Sequence, residues 1–173
     1  MQARAATPAD ATAIARIYNE GIADRIATFE TEPQSVEDVL GWFDGAHPIV
    51  VVEHADEILA FAATSGYRPR ACYRGIAEFS VYAARTARHR GAGRLALQAL
   101  IATAAEAGFW KLVSRVFPEN TASRKLLAAL GFREVGIYER HAHLDGVWRD
   151  VVIVERLLDS QHDVGSAKEC VII

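Results

Sequence analysis

The sequence predicts an α/β fold of the α+β kind, with a mixed central sheet of about seven strands flanked by helices on both faces. Seven apolar runs either alternate with period two or carry β-branched and aromatic residues, as strands do. Four segments with helical spacing lie among them, with capping residues or glycines at their ends. Asp145-Gly146 between the last two runs is a hairpin signal, which makes those strands antiparallel.

Three strands and two helices are predicted before the centre of the chain. Thr7 is a typical N-cap, Pro8 fits the first turn of a helix, and Ser35 caps the second helix. Residues 23–34 have no clear period and predict a long loop, a kind of segment that often carries function. In chain order, strand, helix, helix, strand and strand are predicted at residues 3–6, 8–22, 35–43, 48–53 and 57–67.

The second half of the chain predicts four strands and two helices. Gly108 and Gly131 end the helices, and Asn120 or Thr121 caps the shorter one. In chain order, strand, helix, strand, helix, strand and strand are predicted at residues 77–82, 94–107, 109–117, 121–130, 132–143 and 148–157. We expect a single domain at residues 1–158, followed by a flexible C-terminal tail at residues 159–173.

Composition excludes several classes of protein. A net charge of −3 and a pI near 6.1 provide no general attraction to nucleic acid. Cys72 and Cys170 are too few and too far apart for a disulfide framework, which favours a reducing compartment. No apolar run reaches the ~18–20 residues of a membrane span, and residues 1–4 lack the apolar core of a signal peptide. We therefore expect a soluble cytoplasmic protein without nucleic-acid or membrane partners.

The strand at 77–82 leads into a glycine-rich segment that opens a helix, and we call residues 88–94 the glycine turn. Glycine lets the backbone approach a ligand closely, and the free N–H groups of a first helical turn attract an anion. Guanidinium groups add positive charge where a pyrophosphate would lie. The predicted anion site consists of Arg88, His89, Arg90, Gly91, Ala92, Gly93 and Arg94.

A carboxylate lies on the strand just before the glycine turn. Alternation places Glu78, Ser80 and Tyr82 on one face of this strand. Such a carboxylate can accept a proton from an ammonium group, which frees the nitrogen lone pair for nucleophilic attack. The alternative is a plain salt bridge between Glu78 and Arg70 or Arg74.

Two further groups of polar residues suggest ligands. Arg68, Arg70 and Arg74 precede the central strand, and clustered guanidinium groups can bind the oxygens of an acidic acceptor; solvated loop arginines are the alternative. His141 and His143 share a strand face, which would allow a metal pair. No further ligand residues lie near them in the sequence, so no metal site is predicted.

The order of motifs resembles the GCN5-related N-acetyltransferase (GNAT) superfamily. Its elements are a strand glutamate, the Arg-x-x-Gly-x-Gly pattern at 88–93, and Asn120-x-x-Ser123. Further stretches resemble the phosphinothricin N-acetyltransferase group, including the related arsinothricin and methionine-sulfoximine enzymes. These are Ile17-Tyr18-Asn19, Thr28-Phe29-Glu30, Arg70-Ala71-x-Tyr73-Arg74, Glu78-x-Ser80-Val81-Tyr82 and Gly146-x-Trp148-x-Asp150.

The resemblance implies a GNAT fold, a homodimer, and transfer of acetyl from acetyl-CoA to the α-amine of a small acidic amino-acid analogue, which confers resistance. It implies that Glu78 is the general base, that the Val81 backbone binds the acetyl-pantetheine end, and that the glycine turn holds the pyrophosphate. Asn120 and Ser123 would contact the pantetheine and nucleotide. The acceptor pocket would be framed by Phe29, Glu30, Arg70, Tyr73 and Arg74.

Two positions depart from the pattern of the family that the sequence resembles. Leu127 stands where many acetyltransferases carry a Tyr that protonates the leaving thiolate, so the thiolate leaves unprotonated, or Tyr82 or a water assists. Leu144-Asp145-Gly146 replaces a Lys-x-Gly, which leaves His141 or His143 to make the acceptor contact of that Lys.

The competing functions are a nucleotide-binding oxidoreductase, a non-catalytic acyl-CoA sensor, and acetylation of another amine or a protein N-terminus.

Overall fold

The computed structural model describes residues 1–158 and confirms a seven-stranded mixed sheet flanked by helices. The predicted C-terminal tail lies outside the described residues. The strands are β1 Gln2–Ala5, β2 Ile49–His54, β3 Glu57–Gly66, β4 Ile76–Ala83, β5 Lys111–Val116, β6 Arg133–Leu144 and β7 Val147–Leu157. The helices are α1 Ala11–Asp24, α2 Val36–Leu40, α3 Ala92–Glu106 and α4 Thr121–Ala129. The strand order is β1-β2-β3-β4-β5-β7-β6.

The first two helices differ from their predicted bounds. Pro8–Asp10 form a 3-10 turn, and α1 begins only after it. The cause is Asp10, whose carboxylate accepts hydrogen bonds from the Thr7 backbone and two from the Arg4 guanidinium. At its other end α1 runs two residues beyond the predicted limit and closes on Arg25, which adopts a left-handed conformation with φ 57°. The second helix ends at Leu40 instead of residue 43.

The helices divide between the two faces of the sheet. On one face, Tyr82 of β4 and Phe61 of β3 pack against Tyr18 of α1, and Trp42 completes this aromatic group. On the other face, Gly93 at the start of α3 lies beside Val81. Phe132, which follows α4, contacts Phe79 on that same face. Alternation along β4 therefore sorts its side chains between the two helical layers.

The sheet opens between β4 and β5. These strands run parallel and pair only from Ile76 with Lys111 to Glu78 with Val113. Beyond this point β4 continues to Ala83 and β5 to Val116, and their ends diverge. Because parallel strands must stay about 5 Å apart to share hydrogen bonds, the end of the pairing marks a gap through the sheet.

The last two strands form the predicted hairpin at one edge of the sheet. Asp145 and Gly146 both have positive φ, at 51° and 77°, as a tight two-residue hairpin turn requires. Strand β6 is the edge strand, and most of its side chains are exposed. Among residues 1–158, the helices are too short or too polar to cross a bilayer.

Candidate active site

A cavity of about 470 Å³ occupies the gap between β4 and β5. Its walls come from both faces of the sheet. On the α3 side they include Val81, Gly93 and Leu127, and on the α1 side Ile26, Tyr82 and Arg115. A ligand in this cavity can therefore reach from the start of α3, through the sheet, to the opposite face.

The backbone of β4 presents a hydrogen-bond donor to this cavity. The N–H of Ala84 donates to Leu59 of β3 at 2.8 Å. Because successive N–H groups alternate in direction, the N–H of Ser80 points to β3 and that of Val81 points away from it. The pairing with β5 ends at Glu78, so Val81 faces the gap. This is the position that suits an oxyanion donor.

The glycine turn forms the start of α3, as predicted. His89 and Gly91 adopt positive φ, at 61° and 88°, and the helix begins at Ala92. No side chain of the described residues caps this helix. The first hydrogen bond of α-helical spacing is donated by the Leu95 N–H to the Gly91 carbonyl, at 3.0 Å. The N–H groups of the first turn are therefore available to an anion.

The arginines of the glycine turn differ in position. Arg88 and Arg94 line the cavity together with His89, Gly91 and Gly93. Arg90 does not line it, and its Nη1 donates to the Thr86 carbonyl at 3.4 Å. Ala92 is fully buried beneath the turn and can offer only its backbone. The structure therefore brings most of the predicted anion site to the cavity.

Asp24, which the sequence analysis did not predict as a site residue, forms an ion pair with Arg88. Asp24, at the end of α1, contacts Nη2 of Arg88 at 2.6 Å and Nη2 of Arg85 at 2.5 Å. These guanidinium groups, Arg85 foremost, hold the pKa of Asp24 below its ordinary value. Asp24 also lines the cavity, so it orients the positive charge near the start of α3.

Asn120 and Ser123 both line the cavity, at the start of α4. The Ser123 N–H donates to Oδ1 of Asn120 at 3.1 Å, which caps the helix as predicted. The Asn120 Nδ2 donates to the Ile26 carbonyl at 3.3 Å. Both ends of the Asn120 amide are thus used within the protein, and Nδ2 carries a second N–H that a ligand can accept.

Glu78 lies at the closed end of the gap, in the last residue pair of the β4–β5 ladder. Its Oε2 accepts a hydrogen bond from Nη1 of Arg115 at 2.8 Å. The carboxylate is thus paired with Arg115 of β5, and neither Arg70 nor Arg74 is its partner. Alternation along the predicted strand 109–117 assigns Arg115 to one face of that strand. Only the β4–β5 register shows that this is the face on which Glu78 lies.

The loop after α1 crosses the α1 side of the gap. The Tyr82 hydroxyl donates to the Ala27 carbonyl at 3.3 Å, and Ile26 and Ala27 line the cavity. Phe29 packs edge to face on Phe117, which follows β5, with ring centroids 4.9 Å apart. Glu30 is exposed, and its carbonyl accepts a hydrogen bond from Arg25. Neither Phe29 nor Glu30 lines the cavity, although Phe29 contacts Phe117, which does.

The remaining predicted acceptor residues lie on the connection before β4. Arg70 precedes the 3-10 turn Ala71–Tyr73, and Arg74 follows it. Both arginines are exposed, and Tyr73 packs against Tyr67 with ring centroids 5.7 Å apart. None of the three lines the cavity. The structure thus places them at the Glu78 end of β4 without bringing them into contact with Phe29 or Glu30.

Two positions singled out for thiolate release have clear surroundings. Leu127 is buried and lines the cavity. Burial raises the pKa of Tyr82 well above its ordinary value, which makes its hydroxyl a poor acid. The histidines lie elsewhere, on the hairpin: His141 contacts the Tyr138 ring, and His143 contacts the Trp148 ring at a tilt of 41°. Within residues 1–158, no group of three or more His, Cys, Asp or Glu side chains is arranged to hold a metal ion.

Comparison with known proteins extends these observations. A model of the acetyltransferase (GNAT) family matches residues 14–132. The chain is 35% identical over 157 residues to a phosphinothricin N-acetyltransferase of Alcaligenes faecalis, a match that covers 87% of this chain and 79% of the relative. It is 32% identical over 161 residues to an L-methionine sulfoximine/L-methionine sulfone acetyltransferase of Pseudomonas paraeruginosa, covering 90% and 94%.

A solved structure shows a similar fold with the cosubstrate present. It is a GNAT superfamily phosphinothricin acetyltransferase from Sinorhizobium meliloti in complex with acetyl-CoA. The TM-score is 0.84 at 29% sequence identity, and the match covers 91% of this chain and 88% of that one.

Proposed function

The chain belongs to the acetyltransferase (GNAT) family and is an acetyl-CoA-dependent N-acetyltransferase, and on this premise we propose its acceptor. The acceptor is the α-amine of a small acidic amino-acid analogue of the phosphinothricin, arsinothricin or methionine sulfoximine type, and its acetylation confers resistance. The observation that carries the proposal is the cavity through the sheet, which joins the uncapped start of α3 to the Glu78–Arg115 pair.

The glycine turn suits the diphosphate of acetyl-CoA. The uncapped N–H groups of α3 supply donors, and Arg88 and Arg94 supply positive charge beside them. The gap between β4 and β5 gives the pantetheine arm a path to the other face, past Val81, Asn120 and Ser123. Val81 then offers its N–H to the thioester oxygen, where negative charge develops during attack.

Glu78 is the proposed general base. An ammonium nitrogen has no lone pair, so its proton must pass to Glu78, directly or through one water, before the amine attacks. The new C–N bond forms as the carbonyl π electrons move to oxygen. Collapse of this intermediate breaks the C–S bond, whose electron pair leaves with the sulfur, and the remaining extra proton of the nitrogen passes to a water. Because Leu127 cannot donate a proton and Tyr82 is a poor acid, coenzyme A leaves as the thiolate or takes a proton from water.

We propose that the Phe29–Phe117 contact forms an apolar wall beside the acceptor position and that Arg70, Tyr73, Arg74 and Glu30 act at its outer rim. The exposed guanidinium groups of Arg70 and Arg74 suit the distal anionic group of the acceptor. These two arginines favour a small anionic acceptor over a neutral amine. It also predicts a larger effect of the two arginines on KM than on kcat.

The edge strand β6 suits a homodimer. Val135, Ile137 and Tyr138 are 48%, 59% and 54% exposed, and Trp148 of the neighbouring strand is 52% exposed. Large apolar side chains on an open sheet edge favour association with another chain. A second copy of this chain is the occupant we propose for this surface.

Thiol release from acetyl-CoA in the presence of an amino-acid panel tests the proposed reaction. The panel contains L-phosphinothricin, L-arsinothricin, L-methionine sulfoximine, L-methionine sulfone and neutral amines. We expect turnover with at least one acidic or sulfoximine analogue, and mass spectrometry should show one N-acetyl group. Turnover with neutral amines alone would contradict the acceptor class.

Glu78→Gln tests the base in the same assay. We expect kcat/KM to fall by about 100-fold or more, because the amide cannot take the proton. Glu53→Gln is the matched control, since Glu53 is also a strand carboxylate paired with an arginine, Arg4, at 2.7 Å, but Arg4 does not line the cavity, whereas the Glu78 partner Arg115 does. Equal turnover of Glu78→Gln and the wild type would remove Glu78 from the mechanism. A protein that only senses acyl-CoA would bind it without turnover in any form.

A further inference from the structure

Arg115 places a cation inside the cavity, next to the proposed base. It lines the cavity, and its Nη1 lies 2.8 Å from Oε2 of Glu78. The register pairs Glu78 with Val113, so alternation puts residue 115 on the same sheet face as Glu78. The guanidinium and the carboxylate therefore project together toward the side of the gap where Phe29 and Phe117 lie.

The bond to Glu78 occupies only one donor of Arg115. A guanidinium has five N–H donors in a planar fork. Within residues 1–158, Arg115 forms no other side-chain hydrogen bond, and its side chain is 38% exposed. The remaining donors are available to a ligand in the cavity. A planar fork with free donors is suited to two parallel hydrogen bonds to a carboxylate.

The spacing of the pair fits an α-amino acid. Its amine and its carboxylate are attached to one carbon, so their protein partners must be neighbours. Glu78 and Arg115 meet this condition, and Arg115 lines the cavity, whereas Arg70 and Arg74 are exposed and do not line it. Arg88 is held by Asp24 near the start of α3.

We propose that Arg115 binds the α-carboxylate of the acceptor and thereby restricts the enzyme to α-amino acids. The inference rests on the proposed function, in which Glu78 takes the proton of the acceptor amine. Arg115 also offsets the repulsion between the Glu78 carboxylate and the incoming carboxylate. An amine without a carboxyl group gains nothing from these donors and binds weakly.

The test compares an amino acid with its decarboxylated amine. L-Methionine sulfone and 3-(methylsulfonyl)propan-1-amine form such a pair, and the same comparison applies to the best acceptor of the panel. For the wild type, we expect kcat/KM to favour the amino acid by about 100-fold. Arg115→Gln should lower kcat/KM for the amino acid by about 100-fold, mainly through KM, and change the value for the amine by less than about threefold.

Two variants serve as references. Arg115→Lys keeps the charge without the planar fork. We expect its kcat/KM for the amino acid to lie between the values of the wild type and Arg115→Gln. Lys111→Gln removes another cation of β5. Lys111 pairs with Glu155 at 2.9 Å and does not line the cavity, so kcat/KM should stay unchanged for both acceptors. Calorimetric titration with coenzyme A shows whether each variant retains the cosubstrate site. Should Arg115→Gln fail to fold, the amino acid and amine are compared with Arg115→Lys.

The outcomes separate this inference from the proposed function. If Arg115→Gln loses activity equally on the amino acid and the amine, Arg115 acts only through Glu78, and the carboxylate role is overturned. If the wild type acetylates no amino acid of the panel, the proposed function fails and the role of Arg115 fails with it. A selective loss on the amino acid supports the assignment.

Discussion

At the scale of single residues, arginine–carboxylate pairs serve different purposes in this protein. Asp10 is buried, and Arg4 binds both of its carboxylate oxygens, at 2.8 and 2.9 Å. Asp24 also pairs with arginines, but its partners lie beside the anion site. Glu78 meets Arg115 at the edge of a cavity, where a ligand can reach both. Burial and position, more than the chemical type of the pair, separate the structural contact from the one that we propose to be functional.

Asp10 predicts a pH dependence of stability. Its hydrogen bonds to Arg4 lower its pKa to about 2. A carboxylate with a depressed pKa stabilises the fold above its unfolded-state pKa near 4, and this stability is lost as the pH falls through about 2. Asp10→Asn should therefore lower the free energy of unfolding at pH 7 by roughly 2 kcal/mol, with a smaller difference toward pH 2.

Denaturant unfolding at pH values between 7 and 2 checks this expectation. Asp56→Asn is the control, because it removes the same charge from the exposed turn between β2 and β3. Its stability should remain close to that of the wild type across the range. A constant difference between Asp10→Asn and the wild type down to pH 2 would argue against the Arg4 pairing as the source of the effect.

At the scale of elements, the start of α3 separates two uses of glycine. Gly91 has φ 88°, a conformation that an L-residue adopts with strain. Gly93 has an ordinary helical conformation, and a Cβ added there would lie 3.9 Å from Cγ2 of Val81, an ordinary contact. The fold therefore needs the first glycine, whereas the second leaves room next to the helix terminus for a ligand.

This difference gives a prediction for two alanine variants. Gly91→Ala should cost about 1 kcal/mol of stability because of its positive φ. Gly93→Ala should leave the melting temperature unchanged or slightly raised, yet weaken binding of coenzyme A by about tenfold or more, because the methyl group obstructs the diphosphate. Thermal melts and calorimetric titrations measure both effects. Tight binding of coenzyme A by Gly93→Ala would place the diphosphate away from α3.

At the scale of the whole molecule, local patterns predicted the order of elements but not the contacts between them. Period-two alternation predicted the strand of Glu78 and the face it shares with Tyr82, and the aromatic packing of Tyr82 against α1 agrees with this. The Glu78–Arg115 pair joins residues 37 positions apart through the β4–β5 register. Asp24 and Arg88 are still further apart in the sequence. Such contacts depend on long-range register, which a one-dimensional pattern does not contain.

The exposed apolar side chains of the edge strand β6 predict that the protein forms a dimer. We expect the wild type to sediment with twice the 18.9 kDa mass of the monomer. Ile137→Glu places a charge on the exposed edge and should shift the protein toward monomer, because burying an unpaired carboxylate in an interface is costly. Leu40→Glu, at an exposed apolar position on α2, should leave the mass unchanged. A wild type that sediments as a monomer would contradict the dimer.

The cavity through the sheet links these observations, and a crystal structure with acetyl-CoA tests it most directly. We expect the diphosphate at the N–H groups of Ala92, Gly93 and Arg94, and the thioester between β4 and β5. Its carbonyl oxygen should accept the Val81 N–H, with the Glu78 carboxylate on the same side as the sulfur. A complex in which the start of α3 makes no contact with the diphosphate, or in which Glu78 faces away from the thioester, would contradict the account.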